Sequence, residues 1–260
     1  MATYSEKEIA VIAECGIRLA EILRDVARLV RPGVSTKALD TFAHDAIRNV
    51  GGTPTFLHYR GNVGLTPFPS TLCVSINNEV VHGPAYPDRI LNDGDIVGID
   101  IGMRYPAKGG LCTDTAITVE VGKVSPTASR LVAATREALA RGVAAVRQDC
   151  RVRDIGEAVE KYVLSKGYSV VREYVGHGVG KHVHEEPEVP NFVVRGIIGN
   201  VVLPVGTVIA IEPMVNAGGP DIAILQDGWT VVTADHSLSA HFEQTIAVTR
   251  EGVKILTPFL

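Results

Sequence analysis

Four acidic residues occupy positions in which an isolated negative charge would be costly. Asp100 follows the apolar run Ile-Val-Gly-Ile, and Glu212 follows Val-Ile-Ala-Ile in the same way. Asp114 and Glu243 are each expected to begin an apolar strand. An ionised carboxylate beside buried strands is stable only when it is paired or binds a metal ion. Taken singly, each acid could instead cap a turn or pair with an arginine.

An internal repeat predicts that these four acids converge. The segment 32–52 aligns with 148–168, and 91–100 aligns with 203–212, which places Asp100 on Glu212. The segment 114–119 aligns with 243–248, which places Asp114 on Glu243. Four carboxylates at one point cannot all be ionised without strong positive charge. One lysine or arginine would not suffice, whereas two divalent cations would.

His177 adds a nitrogen ligand from the segment GHGVGKHVHEEP, residues 176–187. This segment is not a phosphate-binding loop, because His182 stands where that motif needs Ser or Thr. Neither an HExxH zinc motif nor a GxSxG nucleophile motif is present. Four carboxylates and one imidazole suit Mn(II), Fe(II), Co(II) or Zn(II). Such a pair of ions activates water and polarises a carbonyl group, which is hydrolytic chemistry.

Two pairs of helices are expected to flank the strands that carry these residues. Ser5 and Glu8 form a capping box before a helix that ends at 31–33, and a second helix follows Ser35 and stops at 51–52. Pro126 opens a third helix, with apolar positions at Leu131, Leu139, Val143 and Val146, and the fourth helix ends at 166–167. Strands are predicted at 95–101, 114–121, 207–212, 229–234 and 242–249, with loops and short strands at 53–94.

The element order predicts an α+β fold that consists of one domain, residues 1–260. Two helices followed by strands occur twice, which predicts pseudo-symmetric halves of about 1–122 and 123–260 around one shared sheet. The chain has 46% hydrophobic residues, 21% charged residues and a net charge of -4, which gives no support for a nucleic-acid surface. We expect a cytoplasmic protein without a membrane span. Its cysteines are expected to be reduced, and Cys73 is either a pocket residue or a small buried hydrophobe.

The sequence resembles type I methionine aminopeptidases. The matching segments follow the order of that family: SINNEVVHG (75–83), DGDIVGIDIG (93–102), CTD (112–114), GHGVGKHVHEEP (176–187), AIEPMVN (210–216), DGWTVVT (227–233) and SLSAHFEQTIAVT (237–249). The resemblance implies the pita-bread fold, in which helices cover a central curved antiparallel sheet. It also implies a dinuclear-metal enzyme that removes the initiator methionine from nascent polypeptides.

The resemblance further implies a role for each site residue. Asp100 chelates one metal ion, Asp114 and Glu243 bridge the two ions, and His177 and Glu212 complete the second. Glu212 also relays the proton of the attacking water. His184 hydrogen-bonds the scissile carbonyl, and His82 contacts the scissile amide. Judged by residue type alone, both histidines could be structural. The methionine pocket is formed by Phe68, Cys73 and Trp229, although Trp229 alone would fit a core aromatic equally.

Three features depart from the family pattern. Val183 replaces the usual aromatic residue before His184, Leu65 stands where a pocket tyrosine is expected, and the link from Asp100 to Asp114 is longer. These changes concern the fit of the pocket. We expect a monomer with transient ribosome contact and no stable nucleic-acid binding. The alternatives are an X-Pro-cleaving aminopeptidase of the same fold and a non-catalytic binding module. The presence of all five ligands argues against the module.

Overall fold

The computed structural model describes residues 1–61 and 66–259. Within these residues it has four α-helices: α1 (Glu6–Leu29), α2 (Thr36–Asn49), α3 (Pro126–Ala144) and α4 (Val152–Ser165). A short 3₁₀ turn covers Ile198–Asn200. The described strands are β1 (Thr53–Pro54), β2 (Leu72–Ile76), β3 (Glu79–Val81), β4 (Ile96–Tyr105), β5 (Leu111–Glu120), β6 (Ser169–Val170), β7 (Gly176–Gly178), β8 (Glu185–Val189), β9 (Val208–Ile211), β10 (Met214–Asn216), β11 (Ile222–Ile224), β12 (Val231–Thr233), β13 (Ser239–His241), β14 (Glu243–Thr249) and β15 (Gly252–Ile255).

The helices begin where their capping residues predict. The Ser5 hydroxyl accepts a hydrogen bond from the Glu8 amide at 3.3 Å, and the Glu8 carboxylate accepts one from the Ser5 amide at 2.8 Å. Ser125 caps α3, and Pro126 takes the first helical position. Val146 lies beyond the end of α3, although it remains buried. None of the described helices is long and apolar enough to cross a lipid bilayer.

A large antiparallel sheet joins both halves of the chain. Its order among the described strands is β1-β4-β5-β14-β9-β7-β8, with β2 added beside β4 and β15 beside β14. The central neighbours are therefore β5 and β14, and β4 and β9 lie outside them. These are the strand pairs that the internal repeat aligns. The architecture is the pita-bread fold, a curled antiparallel half-barrel with helices against it, as predicted.

Strand alternation gives this sheet two different faces. In β4, Ile99 and Ile101 pack in a core with helix residues that include Leu19 and Leu39. In the second half, Ile209 and Ile246 pack in a core that includes Leu139 of α3. Because successive side chains of a strand point to opposite faces, the intervening residues, Asp100 among them, face away from the helices.

Asp100 and Asp114 lie inside long strands, which differs from the strand-end positions expected for them. β4 and β5 form a ladder from Ile96↔Glu120 to Tyr105↔Leu111. The residues between the two acids therefore form the end of β4, the connecting turn and the start of β5, which together make a β-hairpin. β5 starts three residues before Asp114. Glu243 does begin β14, as predicted.

Two small sheets border the large one. One has the order β13-β10-β6 and carries the residues that follow Glu212. The other has the order β11-β12-β3, and it places β12, which follows Trp229, beside β3, which precedes His82. The register pairs Met214 with His241 in the first small sheet and Val231 with Val81 in the second.

Candidate metal centre

The sheet register aligns the carboxylates in one row. Asp100 is paired with Ala116 on one side of β5, and Glu243 is paired with the same residue on the other side. Directly opposed residues share a face of a sheet, and Asp114, two residues before Ala116, shares it too. The small Ala116 side chain leaves the space between the acids open. Three of the four predicted acids thus meet on the face opposite the helices.

Glu212 and His177 complete the cluster from the neighbouring strands. Glu212 immediately follows β9, and His177 is the central residue of β7. The His177 Nε2 atom lies 3.5 Å from Asp114 Oδ2 and 3.4 Å from Glu212 Oε1. His177, Glu212 and Glu243 offer ligand atoms within 4.8 Å of one another, and so do Asp114, His177 and His184. His184 therefore has the geometry of a ligand as well as that of a substrate contact.

Burial and mutual repulsion raise the pKa of every carboxyl group in the cluster. The pKa values of Asp100, Glu212 and Glu243 lie well above the ordinary range, because the groups are desolvated and because nearby carboxylates, Asp114 among them, repel their charge. Desolvation also raises the pKa of Asp114, to about 6, against the opposing effect of His184 and hydrogen bonds. The metal-free cluster thus resists ionisation.

Desolvation lowers the pKa values of the imidazole groups, because burial disfavours their charged form. It lowers the pKa of His177 and of His184 to about 4. The same effect lowers the pKa of His82 to about 4 and that of His241 to about 3. Neutral imidazoles cannot balance four carboxylates, but each keeps a nitrogen lone pair that can bind a cation.

The donor set fits divalent metal ions. Asp100 Oδ1 and Glu212 Oε1 are buried and have no hydrogen-bond partner among the described residues. Within the same part of the chain, the carboxylates of Asp114 and Glu212 have imidazoles, and no lysine or arginine, within ion-pair distance. Oxygen and imidazole ligands around unpaired buried carboxylates match borderline divalent ions such as Mn(II), Fe(II), Co(II) or Zn(II). The residues therefore fit the predicted pair of ions.

The cluster lies in a cavity of about 570 Å³ that all the predicted site residues line. Phe68, Cys73 and Trp229 form its apolar wall, with Phe56 and Val183 in the same buried cluster. The Phe68 and Trp229 rings meet edge to face at 5.2 Å. The Trp229 indole N–H donates to the Thr66 carbonyl at 3.0 Å, which ties this wall to the preceding loop.

His184 and His82 approach the cluster from two sides. The ring centroid of His184 is 4.5 Å from that of His177, and its Nδ1 is 2.8 Å from the Tyr59 hydroxyl. His82 follows β3 with φ of 60°, and its ring packs edge to face on Tyr174 at 5.1 Å. A non-glycine residue in the left-handed region needs support from its surroundings.

Sequence reasoning missed several residues of the cavity. Tyr59 and Phe56 precede the pocket segment, and neither was singled out. Phe56 packs in the cluster that contains Val183, so it supplies aromatic surface where the family places an aromatic residue before His184. His241, which lies outside the cavity lining, was given no role from the sequence. Its spacing of two residues from Glu243 in an extended segment was the available signal. Leu65 lies outside the described residues.

This arrangement defines a class of protein, a hydrolase whose buried carboxylate and imidazole groups bind divalent metal ions. The sequence model of metallopeptidase family M24 matches residues 10–250. The chain belongs to this family. A methionine aminopeptidase of Clostridium perfringens is 44% identical over 97% of this chain and 97% of its own length.

Solved structures agree with the family assignment. The crystal structure of methionine aminopeptidase from Rickettsia prowazekii has a TM-score of 0.92 at 36% identity, covering 99% of this chain and 100% of that one. An X-Pro aminopeptidase from Thermotoga maritima shares the fold, with a TM-score of 0.74 at 19% identity. It covers 98% of this chain, but this chain covers only 62% of the Thermotoga chain.

Proposed function

We propose that this chain is a methionine aminopeptidase with Asp100, Asp114, His177, Glu212 and Glu243 as ligands of two divalent metal ions. Asp114 and Glu243 bridge the ions, Asp100 chelates one of them, and His177 and Glu212 complete the other. The observation that carries the proposal is the meeting of four buried carboxylates and His177 in a single cavity with an apolar wall. Bound divalent ions act as Lewis acids that polarise a carbonyl group and lower the pKa of water.

The methionine side chain occupies the apolar part of the cavity. Phe68, Cys73 and Trp229 bury an unbranched thioether side chain without offering it a charge, and sulfur makes favourable contacts with aromatic rings. The free α-amine of the substrate binds near Asp100. Binding of that amine restricts cleavage to the first residue of a polypeptide.

His184 donates a hydrogen bond to the scissile carbonyl and to the oxyanion that forms from it. In this role the Tyr59 hydroxyl donates to Nδ1 of His184, over the observed 2.8 Å. A neutral imidazole has one N–H group, so donation from Tyr59 to Nδ1 places that proton on Nε2. The reverse direction, from Nδ1–H to the Tyr59 oxygen, would leave a lone pair on Nε2 and suit the ligand role that the distances also permit.

His82 and Glu212 act on protons. His82 contacts the scissile amide and assists transfer to the leaving amine. Glu212 accepts a proton from the attacking water and passes it on, which is the general-base role of a carboxylate within reach of that water. Both side chains line the cavity.

The proposal extends to the substrates, the cellular location, the oligomeric state and the domain organisation of the protein. The substrates are nascent polypeptides in the cytoplasm, reached through transient contact with the ribosome, and the enzyme is a monomer. The chain forms one catalytic domain with halves that meet near residues 122 and 123. The sheet that both halves share supports the single domain. Sedimentation equilibrium tests the monomer, and superposition of the two halves tests the duplication.

The deciding experiment compares Met-Ala-Ser and Ala-Pro-Ser peptides. Metal-depleted protein is assayed before and after Mn(II) or Co(II) is added. We expect metal-dependent release of methionine alone. Release from Ala-Pro-Ser alone would instead assign the X-Pro-cleaving activity, which the shared fold permits. A lack of release from either peptide with every metal would favour a non-catalytic binding module.

A further inference from the structure

His241 is a buried histidine that the proposed reaction does not use. Its exposed fraction is 3%, and its Nε2 atom has no hydrogen-bond partner among the described residues. The residue does not belong to the lining of the catalytic cavity. A buried polar atom without a partner costs about 1–3 kcal/mol, so its environment needs an explanation.

The strand register directs His241 toward Glu212. His241 is paired with Met214, and directly opposed residues share a face of the sheet. Met214 lines the cavity and lies two residues after Glu212. The Nε2 atom of His241 lies 3.8 Å from Glu212 Oε2.

The two oxygens of Glu212 therefore face different groups. Oε1 lies 3.4 Å from His177 Nε2, on the side of the ligand cluster, and has no hydrogen-bond partner within the described chain. Oε2 faces His241. A metal-binding carboxylate is generally held in orientation by a hydrogen bond to its other oxygen.

The backbone of His241 is fixed firmly enough for such a role. The Thr118 hydroxyl accepts a hydrogen bond from the His241 amide at 2.9 Å and donates one to the His241 carbonyl at 2.8 Å. Thr118 belongs to β5, the strand that also carries Asp114. The position of the imidazole is thus tied to the central strands of the site.

We propose that His241 is a positioning residue that donates its Nε2–H to Glu212 Oε2 and so orients Glu212 Oε1 toward the metal ions. This inference rests on the proposed metal centre. The observed distance of 3.8 Å is longer than a hydrogen bond, so the proposed contact requires a small rotation of the Glu212 carboxylate toward His241. Loss of such a partner costs roughly 10- to 100-fold in metal affinity.

The test uses three replacements of His241 and one remote control. His241→Leu and His241→Met remove the donor and keep an apolar side chain of suitable size, and either one suffices if the other fails to fold. His241→Gln keeps an N–H donor at a similar reach. His44→Leu changes a partly exposed histidine on α2 that does not line the cavity. Metal-free proteins are titrated with Mn(II) or Co(II) alone by calorimetry, and the visible spectrum of the Co(II) form is recorded.

We expect His241→Leu and His241→Met to weaken metal affinity roughly 10- to 100-fold and to change the Co(II) spectrum. His241→Gln should stay close to the unmodified protein in both measurements, as should His44→Leu. Unchanged affinity in the Leu and Met variants would overturn the proposal. Equal weakening in the Gln variant would overturn the donor role and indicate that the imidazole itself binds metal.

The same measurements distinguish a failure of the proposed metal centre from a failure of the proposed role of His241. If the unmodified protein binds neither ion and releases no methionine, the metal centre itself is wrong, and the role of His241 falls with it. If the unmodified protein binds metal and only the variants fail to differ from it, the role of His241 alone is refuted.

Discussion

Metal affinity should increase steeply with pH, because the ions compete with protons for the same carboxylates. In the metal-free protein Asp100, Glu212 and Glu243 have pKa values well above the ordinary range, and that of Asp114 is raised to about 6. These groups therefore keep their protons to higher pH than ordinary carboxyl groups do. Metal ligands must be deprotonated, so binding releases those protons.

The size of the change in metal affinity follows from the linkage between metal binding and proton release. Each proton released on binding strengthens the binding free energy by about 1.4 kcal/mol per pH unit, which is tenfold in the dissociation constant. With roughly one to three of the raised carboxyl groups protonated, the dissociation constant for Mn(II) should fall about 10- to 1000-fold between pH 6 and pH 7. The histidines add little in this range, since the pKa values of His177 and His184 are already about 4.

Stability of the metal-free fold should change in the opposite direction. A group whose pKa is raised by folding contributes stability below its unfolded pKa, and that contribution is lost as the pH rises through the folded value. For Asp114 this loss occurs between the ordinary value of 3.8 and about 6, and for the other three acids it continues to higher pH. Above about pH 7.5 the site histidines are almost entirely neutral in both the folded and the unfolded state. Metal-free protein should therefore become less stable from about pH 7.5 to 8.5, while the metal-loaded form does not.

Calorimetric titration with Mn(II), in buffers of different ionisation enthalpy, measures both the affinity and the number of protons released. Thermal unfolding with and without chelator at each pH measures how the stabilities of the metal-free and the metal-loaded protein differ. Asp235→Asn provides a control, because hydrogen bonds with Ser237 and Gly219 lower the pKa of that exposed carboxyl to about 2. Equal affinity at pH 6 and pH 7 without proton release would mean that the cluster is ionised before metal binds, and the reasoning would be refuted.

Three further substitutions separate the proposed roles. His184→Ala should lower kcat by about 10²–10³-fold with little change in Co(II) affinity, and an equal loss of metal would make His184 a ligand. Tyr59→Phe should lower kcat by about threefold to tenfold, the value of one hydrogen bond, and an unchanged kcat would contradict its control of the His184 tautomer. Trp229→Ala should raise KM for a methionyl peptide about tenfold through lost apolar contact, measured by steady-state kinetics. Trp229→Phe should restore most of that loss, and failure to do so would point to the indole hydrogen bond with Thr66 instead.

Much of the framework was predictable because its signals are local. The capping box at Ser5 and the proline after Ser125 specify where helices begin. The Ser5 and Ser125 hydroxyls each accept a hydrogen bond from a free amide of the first turn, and Pro126 has no amide to satisfy. The acids of the site were recognisable because a carboxylate beside an apolar strand needs a partner. The internal repeat then predicted equivalent positions for β4 and β9 and for β5 and β14. In the sheet, β5 and β14 are neighbours, and β4 and β9 lie on their outer sides.

The remaining features depend on contacts between distant segments. Tyr59 and His184 are 125 residues apart, so their hydrogen bond follows from the folded sheet and not from either local sequence. The start of β5 before Asp114 depends on pairing with the far end of β4, which the apolar pattern alone did not indicate. His241 reaches Glu212 only because β13 and β10 are neighbours.

The proposed metal centre brings its mutually repelling carboxylates together where the two predicted halves meet. Asp100 and Asp114 come from the first half, whereas His177, Glu212 and Glu243 come from the second. The opposite face of the same strands packs the apolar cores that stabilise each half. The fold can therefore hold four unfavourable carboxyl groups in place before any ion binds, which keeps the site ready for its ligands. Because ions then attract groups from both halves, metal binding should strengthen the contact between β5 and β14, and the free energy of binding becomes part of the free energy of folding.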